Sequence, residues 1–424
     1  MYVNALIREL EAYDVSSRVI APLAPKQPDG YVFEGATVRT YEVNDHPSRA
    51  ELRGDFPPDT TSRFREILDE ERPDIYHQHS WSRGLGGAHL HAAREAGIKT
   101  VVTVHVATAI CMRGTMMQFG ERPCDGRIIP SRCGACWSHG RGAPKFVANM
   151  LGAFPTSLAQ SFERASCAYD GRLTTALSAK ALAQRRKSDV LRMAADADRI
   201  VAVCGWLHEA LEANGMPADK LVLSRQGVDT RFADAVRDTA PYVPSDNAFH
   251  LLYLGRWHPV KGIDVLVGAM RLIPSDVPIT LTIHAAGDDD EAKSYADSIR
   301  RLAQGDARIT IAETVTRERL PQVLAQADVL VVPSLGLETG PLVVLEAKAS
   351  GLPIIGSRLG GIEEHVEEPD DGTLVPPGDV EALAAAIKAA AATRTSKPRS
   401  RVPPKMRTTR DVAAEMAELY RSLC

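Results

Sequence analysis

Nowhere in these 424 residues does an apolar run reach the roughly 18 positions that a membrane-crossing helix needs, so no transmembrane span is expected. The opening MYVNALIRELEAYD is interrupted by Arg8, Glu9 and Glu11 and carries no signal-peptide core. Charge of one sign is missing as well. Lys and Arg total 50 against 54 Asp and Glu, a formal −4, and so balanced a chain is not a nucleic-acid binder by bulk electrostatics. Cysteine is sparse: seven residues without a secretion signal do not make a disulfide framework. A reducing cytoplasm is the expected setting, with thiols free, metal-bound or catalytic. No repeat of solenoid period occurs. What is present, 44% apolar and 25% charged residues, excludes a wholly disordered chain, a collagen-like repeat and a coiled coil. The length suits two or three domains.

Strand-like and helix-like segments alternate from end to end. DIYHQHS (74–80), KTVVTVHV (99–106) and DRIVAVC (198–204) are short β-rich runs. SRGLGGAHLHAAREAG, between the first two, reads as a helix closed by Gly97. The second half is cleaner. HLLYLG (250–255), ITLTIHA (279–285), ARITIA (307–312) and DVLVVPS (328–334) are near-continuous apolar runs, followed by helical patterns at 261–273, 290–304, 316–326 and 340–350. Such strands, buried on both faces between helices, predict a doubly wound parallel sheet. RDTAPYVPSDNAF (237–249) reads as a linker, giving domains 1–236 and 246–400. RTSKPRSRVPPK (394–405) leads to a final helix within 406–424. Residues 106–195 break the alternation and read as an insertion. Its part 141–195 holds nine basic residues against three acidic ones, either a solvated face or a contact for an anionic lipid surface or a phosphorylated acceptor.

The densest chemistry follows strand 250–255. Arg256 and Lys261 in GRWHPVKG place two cations where open α/β sheets bind ligands, and a helix starting near Lys261 adds its dipole to any anion there. Alone, the pair fits surface ion pairing equally well. After strand 328–334 come Glu338 in a loop and Glu346 in the next helix. Each carboxylate suits two sugar hydroxyls. Gly340-Pro341 suits a tight loop opening that helix, with Pro near N1, and the amides there suit a diphosphate.

These residues carry a family resemblance. GRWHPVKGIDVL (255–266), PSLGLETGPLVVLEAKASGLPIIGSRLGGIEEHV (333–366) and DGTLVPPGD (371–379) resemble the retaining glycosyltransferases of family 4, whose E-x7-E motif the two glutamates match. The first half matches more thinly, through IYHQHS, Thr103-Val104-His105 and ADRIVAVC…RQGVDTRF (197–232). The resemblance implies the GT-B fold, two Rossmann-like doubly wound domains facing a cleft, with the acceptor-side domain first, the donor domain second and the final helix packing back on the first. It implies a nucleotide-diphosphate sugar donor (UDP- or GDP-sugar). Arg256 and Lys261 would hold the diphosphate, Glu338 the transferred sugar, Glu346 the ribose, and the backbone at Gly340, Pro341 and Leu342 sugar and phosphate. His105 would stand near the reacting sugar. No catalytic divalent metal is expected, because the two cations stabilise the leaving group. The implied acceptor is a glycan or lipid-linked hydroxyl, in polysaccharide, lipopolysaccharide or glycolipid assembly, with peripheral membrane contact possible and no nucleic acid. A nucleotide-sugar epimerase on the same fold, or a non-catalytic nucleotide- or glycan-binding protein, are the alternatives.

The chain departs from the family in two places. Relatives begin with a strand and a glycine-rich loop, whereas Tyr2–Leu10 here already reads as the first helix, so an exposed edge in the first sheet is expected. Cys111, Cys124, Cys133 and Cys136, with a CxxC pair at the end, can supply a tetrahedral structural zinc site. CMRG (111–114) after Thr103-x-His105 resembles a family subgroup with such a cluster. An iron–sulfur cluster, disulfides and unrelated thiols remain open, with His139 or Cys167 as substitute ligands. Asp288-Asp289-Asp290 reads as a solvated helix start rather than a manganese motif. His77 and His79, on one face of a strand, can chelate a metal, though only His79 fits the family as a cleft residue.

Overall fold

The computed structural model describes residues 2–23, 30–44, 46, 48–52, 61–79, 81, 84–168, 171–239, 248–394 and 406–424. Linker positions 240–247, connector positions 395–405, Ser80, Asp170 and the Cys167 side chain lie outside them. The chain forms two compact units, Met1–Arg225 with Val412–Cys424, and Gln226–Asp411.

Fifteen strands are named here in chain order. They are β1 (Val19–Leu23), β2 (Gly30–Phe33), β3 (Ala36–Glu42), β4 (Ile75–His79), β5 (Lys99–Val104), β6 (Met117–Gln118), β7 (Arg122–Pro123), β8 (Arg199–Ala202) and β9 (Leu221–Leu223) in the first unit. The second holds β10 (Phe249–Arg256), β11 (Ile279–Ala286), β12 (Ile309–Ala312), β13 (Val329–Val332), β14 (Ile354–Ser357) and β15 (Gly372–Val375).

The second unit is one six-stranded sheet ordered β12-β11-β10-β13-β14-β15, parallel throughout. Counted from β10 the order is 3-2-1-4-5-6, that of a doubly wound dinucleotide-binding sheet. Its near-continuous apolar strands have a direct cause. Leu251, Val329 and Val331 face one core with helices Ile263–Leu272 and Val380–Ala392. Their neighbours Leu252, Leu330 and Val332 face another core with helices Thr230–Asp238 and Leu342–Ala349. Successive side chains point to opposite faces, so buried positions of both parities are apolar.

The first unit carries a parallel sheet β4-β5-β8-β9 and a separate sheet β1-β3-β2. Strand β4 stands at the margin of its sheet, as β1 does in the other. Tyr2–Leu10 is a helix, and its Leu6 and Leu10 share a core with Val101, Val201 and the Val412, Met416 and Tyr420 side chains of the last helix, Thr409–Arg421. The insertion is mainly helical: Pro130–Gly140, Lys145–Ala153, Thr156–Ala168, Arg172–Leu177 and Ala179–Asp196 follow the β6–β7 hairpin. Glycine lets these helices touch, since a Cβ on Gly152 would lie 2.2 Å from the Ser131 carbonyl oxygen. Among the described residues no helix is long and apolar enough to cross a membrane.

Candidate functional site

The strand order reverses between β10 and β13, which pair directly. At that point the two neighbouring strands lead into helices on opposite faces of the sheet, the place where open α/β sheets bind ligands. Both motif-bearing loops start there.

The loop after β10 is short and locked. The His258 ring accepts a hydrogen bond from the Val260 amide at 3.1 Å and caps the 3-10 turn Pro259–Lys261. Gly262 ends the turn at φ +66°. A Cβ there would sit 2.0 Å from the Pro333 carbonyl oxygen, and the Leu335 amide donates to the Val260 carbonyl at 2.7 Å. The loops after β10 and β13 therefore meet backbone to backbone, and only glycine fits at the crossing.

This contact brings Lys261 to Glu338. Lys261 Nζ lies 2.5 Å from Glu338 Oε1, which also accepts from Ser334 Oγ at 2.9 Å. The Gly361 amide donates to the Glu338 carbonyl at 2.7 Å, and a Cβ on Gly361 would lie 2.7 Å from that oxygen and from the Gly340 nitrogen. Gly340 itself has φ +134°. The glycine pair that opens helix Gly360–His365 thus forms the floor of the glutamate loop. Pro341 and Leu342 open helix Leu342–Ala349. Arg256 ends β10 and is exposed.

Glu346 sits in the second turn of that helix and is 7% exposed. Burial pushes its carboxyl pKa up, the Arg317 guanidinium works against that shift, and Asp229 adds to it. Arg317 Nη1 is 3.2 Å from Glu346 Oε1, and Nη2 is 3.2 Å from Asp229 Oδ2. Sequence reasoning assigned no role to Arg317, Asp229 or Ser334. A polar Arg at the start of a short helical turn has no spacing signature.

His105 belongs to the first unit, just beyond β5. Its Nε2 is 3.1 Å from His79 Nδ1, and its ring stands edge-on to Tyr2, with centroids 4.6 Å apart. Burial pulls the His105 pKa down to about 4. His77 does not chelate with His79: its nitrogens meet Tyr420 Oη at 2.6 Å and Thr103 Oγ1 at 2.7 Å. Asp289 caps helix Asp290–Ala303 by accepting from the Ala292 amide at 2.8 Å, the helix-start role read from sequence.

The cysteine expectation finds only partial support. Cys111, Cys124, Cys133 and Cys136 do line one small pocket, but as free thiols. Cys133 points to the Arg127 carbonyl at 3.9 Å, Cys124 to Asp125 Oδ1 at 3.7 Å, and Cys136 to the Met117 carbonyl at 3.8 Å. Burial raises the Cys133 pKa to about 11. Among the described residues no group of three or more His, Cys, Asp or Glu is arranged to hold a metal ion, and these four cysteines form no disulfide.

Comparison with known proteins sets this geometry in a family. Residues 1–227 match the model described as "Glycosyl transferase 4-like domain", and residues 248–393 match "Glycosyl transferases group 1". The amylovoran biosynthesis glycosyltransferase AmsK of Erwinia amylovora is 28% identical over 220 residues, 50% of this chain and 52% of that protein. The chain thus spans about half the length of that relative. The D-inositol 3-phosphate glycosyltransferase of Arthrobacter sp. (strain FB24) is 25% identical over 388 residues, 88% of this chain and 77% of its own. Among solved structures, sucrose-phosphate synthase from Thermosynechococcus elongatus superposes with a TM-score of 0.65 at 21% identity, covering 100% of this chain and 92% of that one. The fold is α/β with parallel sheets in two units, as in the GT-B glycosyltransferases it resembles. With one model matching more than half of its length and the other most of the remainder, the chain belongs to the glycosyl transferase group 1, 4-like family.

Proposed function

We propose that this protein is a retaining glycosyltransferase that moves a sugar from a UDP- or GDP-sugar to a hydroxyl acceptor. The observation that carries this reading is the Lys261–Glu338 pair at the point where the strand order reverses. A cation and a carboxylate at one spot suit the two halves of such a donor. Lys261 and Arg256 would take the diphosphate, whose negative charge grows as the glycosyl bond breaks. Two side-chain cations supply there the charge that a divalent metal supplies elsewhere. Glu338 would accept hydroxyls of the transferred sugar, while the backbone at Gly340, Pro341 and Leu342 faces sugar and phosphate. Glu346 would hold the ribose. In the first unit, His105 is the residue proposed to stand by the reacting sugar. Its depressed pKa keeps it neutral, able to accept or donate one hydrogen bond. Glu338, already held by Lys261 and Ser334, suits an orienting role rather than a nucleophilic one.

The acceptor proposed is a glycan or lipid-linked hydroxyl of polysaccharide or glycolipid assembly, handled in the cytoplasm at the membrane surface. Kinship with an amylovoran biosynthesis enzyme supports the polysaccharide reading. The exposed Phe146, Val147 and Met150 of helix Lys145–Ala153, within the basic stretch 141–195, support the lipid one.

The test is thermal stabilisation by UDP, GDP and ADP and by their sugar conjugates. A shift of several degrees with one nucleotide, lost in Lys261→Ala, is expected. Sugar transfer to an acceptor is then measured with the nucleotide found. Absence of any shift would sink the donor-site reading, and binding without transfer would leave a nucleotide-binding protein.

A further inference from the structure

Glu346 is not held by its own helix. Arg317, from a separate turn, reaches its carboxylate, and Asp229, from another element, holds Arg317. Asp229 caps helix Thr230–Asp238, its Oδ1 accepting from the Arg231 amide at 2.9 Å. The capped side chain leaves Oδ2 facing Arg317 at 3.2 Å. Arg317 opens the 3-10 turn Arg317–Arg319, and the other arm of its guanidinium reaches Glu346 Oε1 at 3.2 Å. The Arg317 Cζ lies 6.0 Å from the centre of the Phe232 ring, on the same helix that Asp229 caps. Side-chain exposure falls along the series from 28% at Arg317 to 14% at Asp229 and 9% at Glu346.

A planar guanidinium spanning two carboxylates has one permitted orientation, which a lysine ammonium would not impose. Two carboxylates around one cation also leave a net negative charge, which suits hydroxyl donors rather than phosphate. We propose that Arg317, anchored by Asp229, is a positioning residue that holds and orients the Glu346 carboxylate for the two hydroxyls of the donor ribose, and thereby sets the preference for ribonucleotides over deoxyribonucleotides. This rests on the reading of Glu346 as the ribose ligand. The charge of Arg317 also opposes the neutralisation that burial of Glu346 favours. An unheld glutamate here would both turn and protonate more readily.

The test compares the full-length chain with Arg317→Met, Arg317→Lys and Asp229→Asn. Dissociation constants are measured for UDP, GDP and ADP and for the 2′-deoxy form of whichever binds. A hydroxyl bound to a fixed carboxylate makes wild type prefer the ribonucleotide by about tenfold or more. Arg317→Met is expected to bring the ratio towards one by weakening the ribonucleotide alone. Arg317→Lys and Asp229→Asn are expected to fall between, and they keep the test open should Arg317→Met not fold. A purely structural role for Arg317 would weaken both nucleotides equally or lower only the melting temperature. An unchanged ratio in all folded variants overturns the inference and leaves the donor site standing. A wild type that binds nucleotide without any ribose preference overturns it at its root, together with the reading of Glu346. A wild type that binds no nucleotide overturns the donor site as well.

Discussion

Lys261 and Glu338, 77 positions apart in sequence, meet at 2.5 Å. Each is the other's counterion, so in the proposed donor site a diphosphate sugar would have to divide the pair. The phosphate would take the ammonium and the sugar the carboxylate. The two residues should therefore fail differently. Lys261→Ala is expected to lose affinity for nucleoside diphosphate and nucleotide-sugar alike. Glu338→Gln is expected to keep affinity for the diphosphate and lose the gain the sugar adds. Calorimetric titration separates the two, and identical losses in both variants would contradict the division of roles.

Gly262 stands where two loops cross. An alanine there meets both the φ of +66° and the Pro333 oxygen at 2.0 Å. Gly262→Ala is expected to cost about 2 kcal/mol or more and to abolish nucleotide binding, because the displaced loop carries Lys261. Gly305→Ala gives the comparison: its φ is +88° with nothing within 4 Å, so it should cost about 1 kcal/mol and leave binding intact. Urea unfolding checks both, and equal costs would refute the backbone-contact explanation.

The first unit holds four imidazoles in neutral form. Burial lowers His77 to about 3 and His89 and His105 to about 4, and it pulls His79 well below its ordinary value. His89 Nδ1 accepts the Gly86 amide at 3.2 Å, a bond that a protonated ring cannot make. The unfolded chain takes up these protons near pH 6.5, and the folded chain does not until about pH 4. Stability from this source is complete above about pH 6.5 and falls as the pH drops towards 4. The urea midpoint is expected to decline across that window. A flat midpoint from pH 7 to 5 would mean that the rings are solvated or charged in the folded state.

Thiol chemistry offers an independent check on the cysteine pocket. A thiol raised to about pKa 11 is almost wholly protonated at pH 7.5, so Cys133 should alkylate slowly with iodoacetamide. Cys124 is also raised by burial, whereas Cys424 is exposed. Mass-spectrometric mapping is expected to find Cys424 modified first. Early modification of Cys133 would show that its thiolate is stabilised by something other than the contacts seen here.

Much of the second unit was legible in sequence because its strands are buried on both faces. LLYL and VLVV leave little choice but a covered parallel strand. Local chemistry trimmed the helices: the pattern at 316–326 is a 3-10 turn followed by a short helix, Leu320–Leu324, with Pro321 in its first turn. The sheet β1-β3-β2 was not foreseen, since β2 is exposed along its length and β1 contains Pro22, so neither shows an apolar alternation. Cysteine spacing said that four thiols lie near one another, but not where each would point. Arg317 was invisible for a similar reason. Its partners Asp229 and Glu346 are 88 positions and 29 positions away, and only the fold draws them together.

The two-faced sheet of the second unit divides the chain's freedom to evolve. The apolar residues of β10 and β13 serve one core or the other, so drift at those positions is penalised on both faces. The loops leaving their carboxyl ends carry no such double duty beyond a few glycines. Lineages that inherit this scaffold can exchange donor or acceptor preference by rewriting those loops, while the strands beneath them stay nearly unchanged.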